Sequence, residues 1–191
     1  MRDLQIVATL LTPLLIGLLF HGLCMKFGWL AQLTKPVDGG RSFRGRRLFG
    51  ANKTYRGIVA VGLGTAIGFW LRAILQVGMT PDFEAEWLSR PGVGPLLFGF
   101  AVGAAAMAAE LPNSFFKRQL GIRPGAAGSG ALGVVFYVVD QVDMLLGVWL
   151  VLVFAVAVTP ALILWSLGFL FIVHQVLTVA GYVVGMRTTW R

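Results

Sequence analysis

Three acidic residues stand where acids are costly. Glu110, Asp140 and Asp143 lie in, or at the ends of, long apolar runs, and ionisable groups at membrane depth are candidates for function by default. Asp140 and Asp143 are spaced i, i+3, so a helix puts both carboxylates on one face. Two carboxylates that close repel each other unless something positive lies between them. A divalent metal is one answer, and carboxylate oxygens suit Mg2+. Pairing each acid with a nearby Arg or Lys is the other. Glu110 closes the third apolar run on the same side of the chain's path, so all three acids are expected at one depth. Asp140, Asp143 and Glu110 are thus the candidate ligands of Mg2+.

The cations that could meet a phosphate are gathered in two connections. Residues 35–57 read KPVDGGRSFRGRRLFGANKTYRG. Gly39, Gly40, Gly45, Gly50 and Gly57 are interleaved with the basic residues, and glycines let backbone N–H groups close around a phosphate. The stretch Gly50 to Thr54 resembles the end of a P-loop, but the full G-x-x-x-x-G-K-[ST] pattern is absent. A glycine-rich phosphate cradle is one reading of this loop, and plain orienting charge is the other. Residues 110–125 read ELPNSFFKRQLGIRPG, and Asn113, Ser114, Lys117 and Arg118 offer donors beside the acids. An acid cluster next to two basic loops suits a substrate that carries several phosphates, together with a metal.

The elements that must hold these groups are membrane helices. Hydrophobic residues make up 57% of the 191, and charged residues only 13%, about half the usual share. A chain this short has too little interior to hide so much apolar surface in water. Disorder is excluded by the same composition, and the single Cys24 excludes a disulfide framework within the chain. Five runs are long enough to cross about 30 Å of hydrocarbon: Leu4–Met25, Ile58–Val77, Val93–Ala109, Ala131–Thr159 and Ala161–Met186. The expected fold is all-α, a polytopic bundle of about five transmembrane helices forming one domain over 1–191. The basic connections span about 26–57 and 110–130.

Charge sets the expected orientation. Residues 26–57 carry +7, residues 78–92 carry −2, residues 111–130 carry +3, and the tail adds Arg187 and Arg191. Basic connections face the cytoplasm, which puts the N-terminus outside and the C-terminus inside. Arg72, near the outer end of its helix, is expected to snorkel to headgroups. Trp29, Trp87 and Trp190 fit interfacial belts. His21 and His174 sit in apolar runs with no second ligand at helical spacing, and read as packed or hydrogen-bonded side chains.

The stretches KPVDGGRSFRGRRLFGANKTYRG, SFFKRQLGIRPG and DQVD resemble the signatures of the CDP-archaeol synthase family, itself similar to CDP-diacylglycerol synthases. The resemblance runs through Asp38, Gly39, Arg46, Arg47, Gly50, Lys53, Thr54, Arg56 and Gly57, then Ser114, Phe115, Lys117 and Arg118, then Asp140, Gln141 and Asp143. One departure stands out: Ala109-Glu110-Leu111 occupies the place of the family's usual Gly-Asp-Leu. The resemblance implies a multi-pass, Mg2+-dependent cytidylyltransferase of the cell (inner) membrane with its active site on the cytoplasmic side. It would join CTP to a lipid phosphate in the bilayer, giving a CDP-lipid and pyrophosphate, with no nucleic-acid partner. Lys53, Arg56, Lys117 and Arg118 would clamp phosphates as the catalytic cations. Asp38, Arg46, Arg47, Thr54, Asn113 and Ser114 would bind substrate, and Arg46 and Arg47 would recruit CTP or anionic lipid. A CTP- or ATP-dependent lipid kinase is the rival enzyme, which would release CDP or ADP rather than pyrophosphate. A non-catalytic protein that binds anionic lipid is the other rival, and it leaves Asp140 and Asp143 without a role.

Overall fold

The structure is a computed structural model, and it describes residues 2–78, 82–124, 126 and 128–183. The expectations attached to Arg187, Trp190 and Arg191 lie outside these residues, as do the side chains of Gln141 and His174. The apolar runs become five long helices: α1 (Arg2–Phe27), α2 (Tyr55–Leu75), α4 (Val93–Gln119), α5 (Gly130–Leu152) and α6 (Pro160–Val183). A short α3 (Glu86–Ser89) lies between α2 and α4. The helices α1, α2, α4 and α5 are long and apolar enough to cross a membrane, and α6 is a further apolar helix.

Two boundaries differ from the sequence reading. The helix expected to stop at Ala109 continues to Gln119, through Pro112. Proline removes one helical N–H, a loss that membrane helices tolerate where neighbours re-satisfy the freed groups. Residues 110–119 are therefore helix rather than loop. The helix stops just beyond, where Gly121 takes φ +78°, the left-handed conformation that ends helices. The fourth run breaks earlier than Pro160: α5 ends at Leu152, and residues 155–157 pair instead with the 78–92 connection. Ala85 N donates to Ala155 O at 2.7 Å, and Ala157 N donates to Phe83 O at 2.7 Å.

Small residues decide how the central helices meet. A Cβ on Gly64 would come within 2.7 Å of Gly17 Cα, and one on Gly103 within 2.6 Å of Val61 O. Backbone contact of this kind packs helices where water supplies no driving force. So α2 lies against α1 on one side and α4 on the other, and α5 packs on α4. The core runs through Leu10 and Leu14 of α1, Val61 and Phe69 of α2, Val102 and Ala106 of α4, Leu145 and Leu152 of α5, and Leu162 of α6.

The two ends of the bundle have opposite character. At one end Arg72 is buried, not snorkelled: its Nη2 donates to Glu84 Oε2 at 2.6 Å and to Gly78 O at 2.9 Å, and Ser89 Oγ donates to Glu84 Oε1 at 2.8 Å. The acid of the connection was within reach, so the guanidinium pairs inside the protein. At the other end lie both basic connections. The first holds a 3-10 turn (Ala31–Leu33) and a small antiparallel hairpin, β1 (Ser42–Phe43) and β2 (Arg46–Arg47). Its turn, Arg44-Gly45, has φ values of +51° and +76°, as a two-residue hairpin turn requires.

Candidate active site at the basic end

The residues singled out in the second connection lie on one face of α4. Glu110, Asn113, Ser114, Lys117 and Arg118 recur at helical spacing, and all but Glu110 are buried. That face meets Asp140 and Asp143 of α5. The Asn113 amide nitrogen donates to Asp140 Oδ1 at 2.6 Å and to Asp143 Oδ2 at 2.9 Å. The amide must present its NH2 this way, because carboxylates only accept. Lys117 Nζ lies 2.6 Å from both oxygens of Asp140. Only 8% of Lys117 is exposed, so its charge needs this partner. The i, i+3 carboxylates thus do converge, and a lysine and an amide supply the positive side between them.

Glu110 is held differently. It pairs with Lys53 from the first connection, although it is close enough to Asp143 for their charges to interact. Among the described residues no three His, Cys, Asp or Glu side chains converge as a metal-binding group. The pair Asp140–Asp143 nevertheless fits Mg2+ by donor chemistry: both offer hard carboxylate oxygens near enough to share one amide group, and Asn113 Oδ1, buried without a partner, is a further oxygen beside them.

The first connection is fastened to this face. Arg46 donates to Gln119 O, Gln119 Nε2 donates to Arg47 O at 3.4 Å, and the Phe43 and Phe115 rings lie 6.0 Å apart. Asp38 and Arg47, expected on substrate, are bonded to each other. Arg47 donates to Asp38 through Nε and Nη2 at 2.9 and 3.0 Å, and the backbone N–H groups of Gly40, Phe49 and Gly50 add three more bonds at 2.9 to 3.4 Å. The side chain of Asp38 is fully buried. These donors hold its carboxyl far below the usual carboxylate range, the Arg47 guanidinium most of all. Asp38 is the buried staple that shapes the loop. Thr54 likewise caps α2, accepting from Gly57 N at 3.4 Å.

Two cations at this end carry buried guanidinium nitrogens without a partner. Arg118 is buried, and its Nε and Nη1 have no partner; Arg56 Nε is buried in the same condition. Arg118 Nη1 lies 3.9 Å from where a Cβ on Gly50 would stand, so it faces the glycine-rich loop. Buried donors of this kind are rare unless something else satisfies them. His21, read from sequence as a packed or hydrogen-bonded side chain, lies against Gly57 at this end.

The sequence matches the family described as CarS-like, CDP-archaeol synthase, over residues 7–191. The chain belongs to the CDP-archaeol synthase family. It is 31% identical over 166 residues to a CDP-archaeol synthase of Methanosarcina mazei, covering 80% of this chain and 88% of that one. It is 35% identical over 159 residues to the CDP-archaeol synthase of Methanosphaerula palustris, with 80% and 87% covered. A solved structure described as "Structural insight into an intramembrane enzyme for archaeal membrane lipids biosynthesis" shares the fold, with a TM-score of 0.63 at 22% identity over 90% of this chain and 92% of that one.

Proposed function

We propose that the basic end of the bundle joins CTP to a lipid phosphate of the archaetidic or phosphatidic acid type, giving a CDP-lipid and pyrophosphate. The chain's family is one of membrane CTP-dependent lipid cytidylyltransferases. One observation carries the assignment of this site: the unpaired, buried Arg118 guanidinium lies on the same helix face as residues that grip the Asp140–Asp143 pair. An anion is missing from that cluster, and the substrates supply it.

The lipid phosphate is already an anion and needs little help from a base. The barrier is the approach of one polyanion to another. Fixed cations oppose that repulsion best in a site with little water. Arg118 and Arg56 are held ready without counter-ions, while Lys117 and Lys53 wait on Asp140 and Glu110. A substrate phosphate competes with each carboxylate for its lysine. As the lipid oxygen bonds to the α-phosphorus of CTP, the bond from that phosphorus to the α–β bridging oxygen breaks. The electron pair leaves with pyrophosphate, whose charge the cations stabilise. Mg2+ held by Asp140 and Asp143, with Glu110 nearby, would neutralise further phosphate charge and polarise the reacting phosphoryl group. Lipid tails remain among the apolar helices and the head group meets CTP at the basic end, on the cytoplasmic side of the cell membrane.

The test is to follow label from CTP with purified protein in detergent, Mg2+ and a lipid phosphate. Label on the α-phosphate is expected in lipid, and label on the γ-phosphate in pyrophosphate. Transfer of the γ-label to lipid would instead make the protein a kinase.

A further inference from the structure

At the basic end, with Lys53 of the Lys53–Glu110 pair in its wall, lies a cavity of about 40 Å3 between α1, α2 and α4, walled by His21, Lys53, Thr54, Gly57 and Met107. About 10–15 Å3 of this kind of space admits a water, so the cavity takes an oxygen-sized polar group. Its wall mixes polar groups with Val37, Ile58 and Leu111. His21 of the wall has a buried Nδ1 without a partner, and Arg56, next to Gly57 in the chain, has a buried Nε in the same state. The charges of Arg56 and Glu110 both reach the His21 ring, and Lys53 is held at the wall by Glu110. The space exists because residue 57 has no side chain: a Cβ there would lie 3.3 Å from Met107 Cε, and 3.8 and 3.9 Å from His21 Cε1 and Nε2. Gly57 is also in the first turn of α2, where the helix dipole favours negative charge.

We propose that this cavity receives a phosphoryl oxygen of a substrate, and that His21 is a positioning residue that hydrogen-bonds it there. The inference rests on the cytidylyl-transfer reading for its choice of ligand. The oxygen comes either from the polyphosphate of CTP or from the lipid phosphate, and the experiment separates the two.

Gly57→Ala fills the cavity, His21→Leu removes the ring nitrogens, and His21→Asn returns a donor. Packing alone predicts that Gly57→Ala is harmless, since Ala favours helix over Gly and the Met107 methyl can turn away. Two readouts are taken on each variant. The first is KM for CTP and for the lipid phosphate in turn. The second is the thermal shift produced on the resting protein by inorganic pyrophosphate and by the lipid phosphate. Gly57→Ala and His21→Leu are expected to raise one KM about tenfold, the worth of one hydrogen bond to a charged group. They should weaken the matching thermal shift, keep most of kcat, and leave the ligand-free melting temperature at or above that of the parent for Gly57→Ala. His21→Asn should recover part of the loss. An effect on CTP and pyrophosphate identifies the nucleotide as the source, and an effect on lipid alone identifies the lipid phosphate. Unchanged KM values and thermal shifts in folded Gly57→Ala and His21→Leu overturn the proposal. Absence of CDP-lipid from the parent protein would overturn the cytidylyl reading instead, while the thermal shifts still judge the cavity.

Discussion

Asp38 shows how one side chain can shape a whole loop. Its carboxylate gathers Arg47 and three backbone N–H groups, and these donors favour the charged form. The folded pKa therefore lies below the unfolded value of about 3.9. The staple's contribution is complete above that unfolded value and is lost as pH falls through the lower, folded one. Hydrogen exchange at the Phe49 and Gly50 amides should stay slow from neutral pH down into the ordinary carboxylate range and rise only below it. In Asp38→Asn the same amides should exchange fast at pH 7; slow exchange there would show that the loop holds its shape without the staple. The Asp-Gly-Gly sequence could have disclosed this role, because an Asp that accepts from the backbone two residues on is a known turn device. Arg47, nine residues along, gives no such local signal. The same holds for Lys53 and Glu110, or Lys117 and Asp140: each partner was identifiable by type, but the pairing is a product of helix packing. His21 reads from sequence as a packed or hydrogen-bonded side chain, because Gly57, which stands opposite it, is on another helix.

At the scale of elements, the sequence disclosed the existence of five apolar helices and the face of α5 that carries both Asp residues. It misplaced the end of α4 because Glu110-Leu111-Pro112-Asn113 has the composition of a loop. The helix persists because Asn113 and Lys117 find partners on α5, which local composition cannot report. The early end of α5 has a similar cause, the backbone pairing of 155–157 with the connection before α3. Close packing of α2 between α1 and α4 predicts that Gly103→Leu, driven into Val61 O, lowers stability by about 1–3 kcal/mol, measured as thermal melting in detergent. At the opposite end, Glu84→Ala leaves Arg72 buried, and a broken buried pair costs about 3–5 kcal/mol. That variant should melt well below the parent and still bind CTP when folded. A melting temperature equal to the parent's would deny the pair its structural role.

The whole molecule is a bundle with one basic and one acidic end, an asymmetry that predicts its orientation. A cysteine at position 43, in a background with Cys24 replaced, should react only with reagents that reach the cytoplasmic side. Labelling from outside would invert the account and separate the site from CTP. The central claim is that the Asp140–Asp143 pair serves cytidylyl transfer. Asp143→Asn is the cleaner probe, since Asp140→Asn also strips the buried Lys117 of its counter-ion. The decisive measurement is CDP-lipid formation by Asp143→Asn, with Mg2+, CTP and lipid phosphate saturating and the fold checked by melting. The account predicts a stable protein whose product falls by at least about a hundredfold, as for loss of a charge used in the transition state. Near-parental formation of CDP-lipid by that variant would contradict it.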